Sequence, residues 1–193
     1  MKPQKGHALF YSVESLELFK KLSTWLPEQH PALKFAFLDD TFSDWSRWRP
    51  GQKGNMLPTS RLLWRWVLMN EKTERDVKPA LENPANDVVL VCKFGREAYH
   101  YAIKYMDCEQ VLHFHKGLVE SRVIGQGVPP PVYIVKKPTD ERMVRADLDY
   151  FGKDPKQKIR YLHANSIADQ CKEVHHIMLV KLKMLATHKK LAA

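Results

Sequence analysis

HALFYSVESLELFKKLSTWL, residues 7–26, is the stretch whose reading decides the fold. Residues 7–11 form a short apolar run, and Leu16, Phe19, Leu22 and Leu26 then fall on one face at helical spacing. Ser12 and Ser15 stand near the junction, and either can accept backbone N–H groups at a helix start. The reading is a strand that turns straight into an amphipathic helix, which Pro27 and Pro31 are expected to close. Such a turn at the head of an α/β chain often holds a glycine-rich phosphate loop, whose glycines let backbone N–H groups converge on an anion while a lysine reaches the outer phosphates. Here the nearest glycine, Gly6, precedes the strand, and Lys20 and Lys21 lie more than a turn inside the helix.

The same alternation continues along the chain. KFAFLDD (34–40) predicts a second buried strand, bounded by turn formers. Residues 41–58 carry two Pro and two Gly and read as a long connection. SRLLWRWVLMNEKTERDVKPALEN (60–83) places Leu62, Leu63, Trp66, Val67 and Met69 near a 3.6 period and predicts a helix ending before Asn83 and Pro84. DVVLVCKF (87–94) is a continuous apolar run of strand length, expected where a parallel sheet is covered on both faces. REAYHYAIKYM resumes helical spacing. VYIVKKP (132–138) and IRYLHA (159–164) give two more strands, and a long basic helix follows over roughly 166–188. Alternation of this kind predicts one three-layer, doubly wound, mostly parallel α/β domain spanning 1–193. Any ligand crevice then lies at the carboxyl ends of the strands, near Tyr11, Asp39, Phe94 and Lys136.

Composition narrows the class. A chain of 193 residues buries roughly two thirds of its unfolded surface without a metal or disulfide staple. It is 44% hydrophobic and 27% charged, with no apolar run approaching the ~20 residues of a membrane span, so a soluble domain with at most peripheral membrane contact is expected. The 3 cysteines, Cys92, Cys108 and Cys171, lack CxxC spacing, which argues against a disulfide framework or a four-cysteine zinc site. A net charge of +9 favours phosphate-bearing partners, acidic protein surfaces or anionic membranes. MKPQKGH at the N-terminus carries no legible address.

Several of these segments resemble the thymidylate kinases. LLWRWVLMNEKTERDVKPALENPANDVVLVCKFGREAYHYAI is similar to that family's middle, where a helix of the LLFxANRxEHxxxxIxPAL kind leads into a strand ending Asp-Arg-Tyr. GQGVPPPVYIVKKPTDERM resembles its glycine- and proline-rich turn, the strand after it and the opening of its lid. IRYLHANSIADQCKEVHHIM resembles its closing strand and C-terminal helix, and RPG at 49–51 its substrate-side turn. The resemblance implies a P-loop kinase-like fold with a shortened lid, about ERMVRADLDYFGKDPKQK. It also exposes what is missing. YSVES stands where the family's phosphate loop belongs, and Cys92, Lys93 and Phe94 stand where Asp-Arg-Tyr does. Phosphoryl transfer depends on positioning and charge neutralisation, so losing the cradle and the metal-side carboxylate leaves little to catalyse with.

The resemblance therefore implies a noncatalytic accessory or structural subunit of a larger assembly. One accessory subunit of respiratory complex I resembles deoxynucleoside kinases, and a mitochondrial location is the corresponding expectation, with the cytoplasm as the other. No catalytic residue, metal or obligatory cofactor is expected. A structural nucleotide would be held by Arg49, Lys93, Arg96 or Arg142. Protein subunits are the expected partners, with Trp45, Trp48, Arg47, Lys181 and Lys189 as contact residues, and no nucleic acid is expected. A divergent working nucleoside monophosphate kinase is the alternative reading.

Other constellations are weaker. HFH at 113–115 with Tyr150 matches the pattern of metal-dependent replication nucleases, though His113 and His115 read more simply as polar residues beside Phe114. Cys171 and His175 sit at i, i+4, a spacing that holds metals, but no second pair accompanies them, so an ordinary helix surface is the plainer reading. Trp45, Trp48, Trp64 and Trp66 beside Arg47, Arg49, Arg61 and Arg65 have the composition of either core or interface. In the last helix Val180, Leu182, Met184 and Leu185 are core or partner-facing, and Lys181, Lys183, Lys189 and Lys190 form a wet face.

Overall fold

The computed structural model describes residues 8–39, 72–92, 132–142, 144–145 and 159–192. Strand β1 (Leu9–Val13) is followed by helix α1 (Leu16–Gln29) and strand β2 (Phe35–Leu38). A π-helical turn (Thr73–Val77) then runs into helix α2 (Lys78–Glu82) and strand β3 (Val88–Cys92). Strands β4 (Val132–Lys136) and β5 (Ile159–Leu162) precede the long helix α3 (Ile167–Ala192).

The strands form a five-stranded sheet in the order β2-β3-β1-β4-β5. Every pairing is parallel, with Leu9 opposite Val88, Phe35 opposite Val88, Tyr11 opposite Val132 and Tyr133 opposite Ile159. Parallel strands are covered on both faces, and β3 shows this most fully: all five of its residues are sealed from solvent. The doubly wound α/β architecture expected from the alternation is therefore the one observed.

Side chains alternate between two cores, as strand geometry demands. Tyr11, Val13, Val88, Leu90, Cys92, Ile134 and Leu162 point to the face carrying α1 and α3, where they meet Leu18, Phe19, Leu22, Leu26, Val174, Met178 and Leu182. Phe10, Val89, Val91, Tyr133, Val135 and Ile159 point to the opposite face, against Val77 and Leu81. Each fully buried leucine or valine contributes about 1.5–3 kcal/mol relative to leaving it exposed. Burial also moves phenols: Tyr11 is pushed up to about 12, with nearby Arg160 opposing, and Tyr133 is raised further by burial alone.

Local expectations are corrected at four places. Pro27 lies inside α1 rather than closing it, because proline removes only its own N–H and the ladder resumes with His30 N donating to the Leu26 carbonyl at 3.0 Å. Ser12 is a buried strand residue, and the cap is Ser15 alone. β2 is half-buried throughout, since it is the sheet's edge and neighbours only β3. The helix predicted over 60–83 ends before Asn83 as expected but passes through a π turn at Thr73–Val77, and its N-terminal part lies outside the described residues.

Candidate functional site

In a sheet of this order the crevice opens beyond the carboxyl end of β1, where strands diverge to both sides. Tyr11, expected at that edge, is instead mid-strand and buried, and the edge is made by Val13, Glu14 and Ser15. Only Glu14 and Ser15 separate β1 from α1. The backbone of this turn is committed at once: Glu14 N donates to the Ile134 carbonyl at 3.1 Å, and the Ser15 carbonyl accepts from Phe19 N at 2.9 Å. Ser15 adopts extended backbone angles, and its Oγ accepts from Leu18 N at 3.3 Å. That bond satisfies one of the amides an anion would otherwise use at a helix start.

Charge completes the picture. Glu14 Oε2 accepts from Lys136 N at 3.3 Å, so this carboxylate is held between the ends of β1 and β4. Glu17, exposed, sits in the first turn of α1. Carboxylates are favourable at a helix N-terminus, and two of them take the electrostatic place that a phosphate would fill. A two-residue turn has no length to fold a nest of convergent N–H groups around a triphosphate.

Among the described residues, the carboxyl ends of β5 and β2 are likewise occupied. Beyond β5, Glu173 of α3 accepts from His163 N through both oxygens at 3.0 Å and from Ala164 N at 3.1 Å. Gln170 Nε2 donates to the Ala164 carbonyl at 3.0 Å, and Ser166 Oγ accepts from Asp169 N at 3.1 Å. The Ser166 hydroxyl and then Lys172 hold the Asp169 carboxyl below the usual range. Beyond β2, the buried Lys72 ammonium donates to the Asp39 carbonyl. This lysine, read as part of a helix motif, thus plugs the edge of the sheet. The neighbouring Asp76 is kept low chiefly by its bond to Arg75.

Of the residues singled out in the sequence, Arg49, Lys93, Arg96, Arg47, Trp45, Trp48, His113, His115 and Tyr150 lie outside the described residues. Arg142 is exposed, and its guanidinium turns to Asp140 at 3.2 Å. Lys181 is exposed on α3. Lys189 is turned inward to Asp87 at 2.6 Å. Cys171 is buried, its thiol raised by burial. The partner of His175 is not Cys171 but His30 at the end of α1, with Nε2···Nε2 at 2.8 Å and the Trp25 ring edge-on at 5.2 Å. Burial and neighbouring positive charge hold both imidazoles below their ordinary value. Among the described residues no group of three or more His, Cys, Asp or Glu gathers as a metal site, and no helix is long and apolar enough to cross a membrane.

No family model matches the sequence, and no curated protein matches it. The structure is similar to that of thymidylate kinase from Ehrlichia chaffeensis, with a TM-score of 0.62 and 15% identity over 90% of this chain and 99% of that one. The chain has the α/β fold of the P-loop kinases.

Proposed function

We propose that this chain is a noncatalytic member of the thymidylate-kinase-like fold that serves as an accessory or structural subunit of a larger assembly. One observation carries the reading: the β1–α1 connection is two residues long, self-capped by Ser15 and flanked by the Glu14 carboxylate. A kinase of this fold stabilises its transition state by cradling phosphates in backbone N–H groups and neutralising their charge. The turn here supplies negative charge and too little backbone. Cys92, which ends β3, is buried and stands in place of a metal-side carboxylate.

The fold likeness and the net charge of +9 support an assembly such as a mitochondrial respiratory complex, which presents acidic surfaces and anionic lipid to a basic subunit. The test couples two measurements on the purified full chain. ADP formation from ATP, Mg²⁺ and dTMP is expected to stay at background, and the native protein is expected to migrate with a much larger complex. Turnover on the order of 1–100 s⁻¹, usual for kinases, in a free dimer would replace this reading with that of a divergent monophosphate kinase.

A further inference from the structure

α3 is apolar on two opposite faces. One face, Cys171, Val174, Met178 and Leu182, is buried against α1 and the sheet. On the other, Val180 is 69%, Met184 57% and Leu191 81% exposed. Thr187 and, at the edge of the seam, Ile177, which is half-buried and also packs against the inner core, complete the spacing 177, 180, 184, 187, 191. That is an alternation of three and four, the a and d positions of a heptad. The seam is about 21 Å long at 1.5 Å per residue.

The charged residues on the flanks of the seam are all lysines: Lys181 at one e position, with the imidazole of His188 at the other, and Lys183 and Lys190 at the g positions. Lys189 falls at f, on the side facing the domain, and there it pairs with Asp87. From Val174 to the C-terminus the sequence contains no Asp or Glu, and Glu173 is already engaged by the His163 and Ala164 amides.

We infer that this seam docks a helix of a different protein, one with apolar a and d positions and Asp or Glu at e and g. Flanking charges select coiled-coil partners. Two copies of this chain would set Lys and His against Lys and His in either orientation, so self-pairing is disfavoured. An acidic-flanked helix answers every e and g position. The inference rests on the accessory-subunit reading and names its partner surface. With only two heptads the contact is small, suited to one part of a larger interface.

The probe is a fluorescent synthetic helical peptide with Leu at a and d and Glu at e and g, titrated by anisotropy against the full chain. The comparison peptide has Lys at e and g. The protein variant is Val180→Ser/Met184→Ser/Leu191→Ser, which keeps every charge and alters only exposed residues, its fold checked by circular dichroism. Saturable binding of the Glu peptide is expected, weakened at least about tenfold by the triple variant, reduced by salt and absent for the Lys peptide. No binding, or binding indifferent to the triple variant, overturns the inference. So does sedimentation with phosphatidylserine vesicles that the triple variant abolishes while the Glu peptide fails to bind, which would make an anionic membrane the occupant. The ADP assay separates the two readings. Peptide binding together with dTMP-dependent turnover removes the noncatalytic claim and keeps the seam. Neither binding nor turnover removes the seam alone.

Discussion

Replacing Glu14 by glutamine tests the electrostatic half of the argument. Glu14 Oε2 accepts from Lys136 N at 3.3 Å, and the amide oxygen of glutamine keeps that acceptor, so the turn is expected to stay intact while one negative charge is lost. A phosphate placed on the first turn of α1 would lie about 5 Å from this carboxylate, where two like unit charges repel by ~3 kcal/mol at an effective dielectric of about 20. Glu14 is half-buried, and physiological salt removes roughly half of that, leaving about 1.4 kcal/mol, a tenfold change in affinity. Calorimetric titration with inorganic tripolyphosphate at physiological salt reads it directly. The expected result is weak binding to the wild-type chain, about tenfold tighter binding to Glu14→Gln, and no ADP formation from ATP by either. Tight ATP binding by the wild-type chain that Glu14→Gln leaves unchanged or weakens would refute the reasoning, because the carboxylate would then be part of a working site.

Three further outcomes follow from packing, capping and protonation. Leu22 is fully buried between α1 and the sheet, so Leu22→Ala should lower the unfolding free energy by about 2–5 kcal/mol in urea melts; a loss under about 1 kcal/mol would contradict the packing. Ser15→Ala removes the Oγ acceptor for Leu18 N and should cost ~1 kcal/mol, with Ser15→Gly losing only a few tenths. His30 and His175 titrate below their ordinary value, chiefly through burial. The unfolded chain then binds more protons just below pH ~6.5, so the stability from this pair is complete above that pH and drains away as pH falls toward the folded values. Urea midpoints recorded between about pH 7.5 and 5 should decline, and His30→Gln/His175→Gln should flatten the decline. An equal slope in the variant would locate the protons elsewhere; Asp76 and Asp169, the carboxylates depressed among the described residues, titrate below this window.

Much of the fold was legible because it is written in local pattern. The unbroken apolar run at 88–92 predicts a strand covered on both faces, and β3 is such a strand. Leu22 and Leu26 repeat at helical spacing and are buried. The absence of glycine between Val13 and Leu16 foretells a turn too short for a phosphate loop, and two residues are what connect them. Pro27 misled because a proline near a helix end costs one bond, which α1 absorbs.

What the chain's order determined by itself was the sequence of the described strands and helices, and the lack of a glycine-rich turn after β1, since both depend on neighbours a few residues apart. Tertiary structure alone decided that Glu14 meets the amide of Lys136, that His30 meets His175 across 145 positions, that Lys72 reaches the end of β2, and that Val180, Met184 and Leu191 of α3 stay exposed. Periodicity says which face of an element is apolar, but which distant element covers that face is fixed only when the sheet has chosen its order.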